Sequence, residues 1–216
     1  MYEEGHAVCK AAFGIAHSIA AKCTVGIASI HRLRGEYQAA LELFIQAAQT
    51  ESLSHGPASA ELANALRGQG GALRGLGRNS DALSVLQHAR SILAEELSPN
   101  HIDILRTDDE VALVLINLAA VHRACGRPQE ALDCLQQAVP LRERLLGSEA
   151  PPMATLLSNL ASAYAGVGKH AAALKIYERV LVIKKAAFGV HSDAVKAVSQ
   201  EMVEMQKVLW AAEHGD

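Results

Sequence analysis

The chain is poor in aromatic side chains, with one Trp, three Phe and four Tyr among 216 residues. That scarcity removes the stacking platforms on which single-stranded nucleic acids rest. Net charge is −3, so no basic excess favours a phosphate backbone either. Cysteines are few: Cys9, Cys23, Cys125 and Cys134 show no C-x-x-C spacing and no accompanying histidine pair. They read as small apolar side chains in a reducing compartment rather than as zinc ligands. The longest apolar run, Val111 to Val121, is broken by Asn117 and falls short of the ~20 residues that a bilayer-spanning helix needs. The opening Met1-Tyr2-Glu3-Glu4 is acidic where a secretory signal is basic. These absences predict a soluble, cytoplasmic protein with no membrane insertion and no preference for nucleic acid.

What is present is mostly Ala and Leu, within an apolar share of 50%. Both are strong helix formers, and no stretch alternates as a strand bounded by turn residues. The expected class is therefore all-α. Four segments repeat: Gly35 to Leu41, Gly77 to Leu83, Gly126 to Leu132 and Gly168 to Leu174, each with Ala then Leu at the fifth and sixth places after the glycine. The intervals between the glycines are 42, 49 and 42 residues. A fixed period in this range marks a stacked array of small helical units.

The fourth unit shows the pattern most clearly. Leu156, Leu157, Leu160, Ala161 and Tyr164 form a helical stripe, Val167-Gly168 ends it, and Ala173, Leu174, Tyr177, Val180 and Leu181 continue on a second helix closed by Phe188-Gly189. The equivalent places hold Leu115, Leu118, Ala119, His122, Ala131 and Leu135 in the third unit. In the second they hold Leu66, Gln69, Gly70, Leu73, Ala82 and Leu86, and in the first Thr24, Ile27, Ala28, His31, Ala40 and Phe44. Ala28, Gly70, Ala119 and Ala161 are small where the two helices of a unit must approach closely.

This pattern resembles the tetratricopeptide repeat, although the motif's Trp and closing Pro are missing. The 42-residue period and the turns at Leu97 to Asp103, Leu146 to Pro152 and Phe188 to Asp193 resemble the kinesin light chain subtype. The resemblance implies a right-handed α-α superhelix of stacked antiparallel helix pairs over residues 1–216. Its parts are a half repeat at 1–14, repeat 1 at 15–56, repeat 2 at 57–104, repeat 3 at 111–147, repeat 4 at 148–189 and a C-terminal capping helix at 190–216. The 49-residue interval places an acidic insertion near 102–110, expected as a loop or an extra half-turn. Residues 2–14 match 177–189 at seven of thirteen positions, so the chain is expected to begin on a second helix. Either the array is truncated there or another subunit covers that edge.

Little carries chemistry. The glycines from Gly68 to Gly77 suggest a nucleotide loop only superficially, because no strand precedes them. Inside a helix each costs up to about 1 kcal/mol, so the second unit is expected to be the softest. Ten histidines form no H-E-x-x-H or comparable ligand spacing. His31 and His122 read as packing residues, and His101, Asp103, Asp108 and Asp109 as a solvated acidic loop. No catalytic, cofactor-binding or metal residue is assigned, and an enzyme is not expected.

The resemblance implies that the first helices line a concave groove. Transferring positions puts Arg32, Arg74 and Arg123 in one row, Val25, Arg67, Ile116 and Ser158 in a second, and Gly26, Gly68, Asn117 and Asn159 in a third. Lys22 lies on the same face, and Glu201 and Glu204 follow it toward the C-terminus. Val25 and Ser29 stand where chaperone-binding arrays need Lys and Asn, which argues against that ligand. The expected function is a non-enzymatic scaffold that binds an acidic, phosphorylated or extended peptide. Lys22, Arg32, Arg67, Arg74 and Arg123 would supply charge, and Asn117 and Asn159 would hold its backbone. The alternative is a structural subunit of a larger cytoskeletal or ciliary assembly, joined through the convex face and the N-terminal edge.

Overall fold

A computed structural model of the protein describes residues 18–214. The half repeat expected at 1–14 lies outside the described residues. Among those described there are nine α-helices and no strand: α1 Ser18–Leu33, α2 Tyr37–His55, α3 Ala60–Gly75, α4 Asn79–Glu96, α5 Ile102–Ala124, α6 Pro128–Leu146, α7 Pro151–Gly166, α8 His170–Phe188 and α9 Asp193–His214. They fall into two compact units, Met1–Val114 and Leu115–Asp216, which divide inside α5. In the first unit α1 packs on α2, α2 on α3, and α3 on α4; in the second α6 packs on α7, α7 on α8, and α8 on α9.

The helix ends follow from local chemistry. The chain reverses through glycines with φ between +70° and +87°, a region that costs side-chain-bearing residues energy and glycine little. Gly35, Gly56 and Gly77 stand 21 residues apart, as do Gly126, Gly147, Gly168 and Gly189. The 42-residue period is thus two helix-plus-turn modules of equal length. Ser98 holds the one place between Gly77 and Gly126 where the series lacks a glycine. There α4 ends instead on an extended Leu97, and the Ser98 carbonyl accepts the His101 amide at 2.9 Å. Pro128 and Pro151 open α6 and α7, positions where proline forfeits no helical hydrogen bond.

The cores are built from Ala and Leu. In the first unit Ala47, Leu62, Ala65, Leu66, Ile92, Leu93 and Ile104 form one buried cluster. In the second, Leu132, Leu135, Met153, Leu157, Ala161, Ala173, Tyr177 and Val180 are buried. Each fully buried Leu contributes roughly 1.5–3 kcal/mol of transfer free energy.

The glycine-rich α3 reads from sequence as soft, and its packing gives the reason for the glycines. A Cβ on Gly68 would stand 2.1 Å from the Phe44 ring, one on Gly70 2.5 Å from Leu86 Cγ, and one on Gly75 2.3 Å from the Tyr37 ring. Phe44 and Leu86 are themselves buried. The lost helix propensity is offset by close contact of α3 with α2 and α4.

The insertion near 102–110 is not a loop or a half-turn. α5 has 23 residues where α3 and α7 have 16. The seven added residues are close to two helical turns, and a heptad rotates a straight helix by only ~20°. The apolar face therefore stays in register, and the added turns pack: Ile104, Thr107 and Asp108 are buried. The acidic segment is not solvated either, because Arg90 Nε donates to the buried Asp108 carboxylate at 2.6 Å. A buried carboxylate without such a partner would be strongly destabilising.

Replacing Gly70 by Ala should lower stability, because overpacking of about 1–3 kcal/mol exceeds the ~1 kcal/mol gained in helix propensity. At Gly166 a Cβ would meet nothing within 4 Å, so Ala should be tolerated there with a gain of a few tenths to ~1 kcal/mol. Thermal unfolding followed by circular dichroism distinguishes the two; a rise in Tm for Gly70→Ala would contradict the packing argument.

Candidate functional site

The residues singled out from sequence divide between the two units. Lys22, Arg32, Arg67 and Arg74 belong to the first, Asn117, Arg123 and Asn159 to the second.

In the first unit the arginines have internal partners. Arg32 Nη1 lies 3.6 Å from Glu110 Oε1, and Arg74 Nη2 lies 3.3 Å from Glu110 Oε2. One carboxylate on α5 thus bridges two arginines from α1 and α3, one on each oxygen. Arg32 reaches it by crossing Gly71, where a Cβ would meet Nη1 at 3.2 Å. Its Nε is buried and makes no hydrogen bond to a described residue. Glu36, the acid closest in sequence to Arg32, turns to His31 Nδ1 instead.

Arg67 donates to Asn64 Oδ1 at 2.6 Å. It shares a small cavity of about 60 Å³ with Arg32, Asn64 and Glu110, and an open one of about 470 Å³ with Glu61, Asp103 and Arg106. Burial pulls its guanidinium below the usual range; Asp103 and Glu110 oppose this, while Arg106 and Arg32 add to it. Lys22 Nζ sits 3.6 Å from Glu61, a pair too exposed to contribute much. His101 is part of a helix start, its Nδ1 accepting the Asp103 amide at 3.3 Å.

In the second unit the residues converge. Asn117 and Arg123 of α5 and Asn159 of α7 line one cavity of about 140 Å³. Its floor is apolar, formed by Ile116, Ala120, Pro128, Leu135 and Ala163. Arg123 is exposed and makes no ion pair among the described residues. Ser158 does not line the cavity, and its buried hydroxyl makes no hydrogen bond to a described residue. The sequence pattern does not single out Pro128 and Ala163, which hold no motif position, and it marks Leu135 for helix packing rather than for a groove wall.

A second cavity in this unit lies around Tyr177, Glu201 and Glu204. The Tyr177 hydroxyl is hydrogen-bonded to Glu201 and lies 3.5 Å from Ser162 Oγ. Burial pushes the phenol up to about 12, the Glu201 hydrogen bond pushes the same way, and Ser162 opposes. Cys125 is exposed rather than buried. Burial raises the Cys134 thiol, with Asp133 adding to it, which makes that thiol a poor nucleophile.

Known proteins share these helix pairs. The family model for the tetratricopeptide repeat matches residues 19–95 and 110–186. The chain belongs to the tetratricopeptide repeat family. The two matches begin 91 residues apart, which is the distance from Gly35 to Gly126 and so carries the long interval. Two crystal structures of Podosopora anserina kinesin light chain-like proteins with nearly identical TPR-like repeats share the fold. One has TM-score 0.60 and 21% identity over 93% of this chain and 99% of the other. The second, a point variant, has 0.59 and 22% over 86% and 84%. BtubC (BKLC) from P. vanneervenii has TM-score 0.59 and 16% identity over 100% of this chain and 89% of its own. No curated protein matches the chain. No described helix of this tetratricopeptide repeat protein is long and apolar enough to cross a membrane.

Removing the bridging charge by Glu110→Gln leaves Arg32 and Arg74 facing each other, and should cost about 1–2 kcal/mol after allowing for their partial exposure. Chemical denaturation measures this; a midpoint equal to wild type would show that the bridge contributes nothing.

The Tyr177 phenol titrates higher folded than its unfolded value of about 10. Its contribution to stability is therefore complete below that pH and is lost as pH rises through about 12. Phenolate absorbance in an alkaline titration should show a last transition that Tyr177→Phe abolishes.

Proposed function

We propose that this chain is a non-enzymatic protein-interaction scaffold, and that its groove in residues 115–216 takes an extended peptide carrying an acidic side chain. The observation that carries the reading is the cavity in which Asn117, Asn159 and the uncompensated Arg123 stand over an apolar floor. An extended peptide presents unpaired N–H and C=O groups, and an Asn amide offers both an acceptor and two donors. Arg123 supplies a planar fork that suits a carboxylate or phosphate better than Lys would. The floor between Pro128 and Leu135 receives an apolar side chain of the same peptide.

Lys22, Arg32, Arg67 and Arg74 enter this reading on a different footing. An acidic partner at the first unit has to displace Glu110 from Arg32 and Arg74. The affinity gained there is only the difference between two carboxylates.

A second reading is a structural subunit of a larger cytoskeletal or ciliary assembly. It is favoured by Leu33, Leu53 and Trp210, which are 82%, 83% and 65% exposed and are apolar surface that a neighbouring subunit would cover. A monodisperse monomer in sedimentation would count against it.

The groove is tested with peptides selected from a random displayed library on the full chain. Arg123→Glu, and separately Asn117→Ala with Asn159→Ala, should each weaken the selected peptides at least about tenfold, or ~1.4 kcal/mol, with helicity unchanged. Undiminished binding to both variants sinks the groove reading.

A further inference from the structure

We propose that the groove of residues 115–216 is charge-polarised and selects a zwitterionic segment: an acidic residue on Arg123, followed roughly six residues away by a basic residue on Glu201. This rests on the groove reading above and names the chemistry of the segment it prefers.

Two cavities carry the inference, and both lie within the second unit. The first, between α5, α6 and α7, has Arg123 as its single charged lining residue. The second, between α7, α8 and α9, encloses about 510 Å³ and has Glu201 and Glu204 as its charged lining residues. Ser162 of α7 lines both, so the two adjoin at that side chain. The two carboxylates are not equivalent. Glu204 is met by Lys207 on its own helix at 3.0 Å, whereas Glu201 has no cationic partner among the described residues. The buried Tyr177 hydroxyl is hydrogen-bonded to Glu201. A carboxylate beside the apolar walls of Ala165, Ala197 and Met205 suits the aliphatic stem and cationic head of Lys or Arg.

α5, α7 and α9 flank the two cavities in turn. At an interaxial spacing of about 8–10 Å, two such steps span roughly 20 Å. An extended peptide advances ~3.3 Å per residue, which sets the acid and the base about six residues apart. A uniformly acidic peptide would satisfy Arg123 but place its remaining carboxylates against Glu201 and Glu204. A nucleic acid strand would do the same with its phosphates. The polarity therefore rejects both.

Panning a random displayed peptide library against the full wild-type chain reads the preference directly. Enriched sequences should carry Asp or Glu and, about five to seven residues away, Lys or Arg. Panning on Glu201→Lys should return peptides acidic at both places. A selected peptide with its base changed to Glu should bind wild type at least about tenfold more weakly and bind Glu201→Lys as well as the parent peptide binds wild type. Glu201→Gln, a milder change at an exposed side chain, should give an intermediate loss. Peptides that depend on Arg123 and Asn159 yet lack a base, or are indifferent to Glu201→Lys, overturn the polarity and leave the groove standing. No enrichment, or peptides indifferent to Arg123, Asn117 and Asn159, overturns both.

Discussion

Close contact between consecutive helices is the constraint on which this structure depends. Neither helix of a pair can bury its stripe alone, so each must approach its neighbours nearly to backbone distance. Ala28, Gly70, Ala119 and Ala161 stand where that approach occurs, and all four are buried. In α3 the demand is greatest. Gly68, Gly70 and Gly75 are filled over by Phe44, Leu86 and Tyr37, whose rings and branches occupy the space that a methyl group would take. Local propensity is sacrificed there because the packing gain is larger.

The same constraint explains how the chain accommodates seven extra residues. An insertion of arbitrary length would rotate the apolar face of α5 away from its partners. A heptad rotates it hardly at all, so the helix lengthens and the added turns find a buried place against α4 through Ile104, Thr107 and Asp108. Glu110 follows the added turns, at the start of the part of α5 that is equivalent to α3 and α7, and there it meets Arg32 and Arg74. Arg32 and Arg74 in the first unit thereby share one internal carboxylate, while Arg123 in the second keeps its charge exposed. One repeat pattern thus presents two chemistries. The first unit has a carboxylate already seated on its arginines. The second has a cation with no carboxylate partner among the described residues, beside an apolar floor, and further along a carboxylate hydrogen-bonded to a buried phenol.

Much of this was legible in the order of residues. The helix pairs, their turns at Gly35, Gly77, Gly126 and Gly168, and the final helix from Asp193 follow from periodicity and from the backbone freedom of glycine, both local properties. The convergence of Asn117, Arg123 and Asn159 was also legible, since equivalent places in successive units face the same way. The state of the insertion was not. Asp108-Asp109-Glu110 reads as a solvated turn, whereas Arg90 on another helix pairs with the buried Asp108. The role of Gly68 and Gly70 was hidden likewise, because a run of glycines announces weakness until the side chains that fill the space are known.

The sequence alone determined the repeat, the helix ends at the glycine turns and the family, because these rest on interactions within a few residues of one another. The tertiary structure decided which charges remain available to a partner. Glu110 lies 36 residues from Arg74 and 78 from Arg32. Whether a carboxylate reaches a guanidinium across such a gap depends on how three helices pack, which no local pattern encodes.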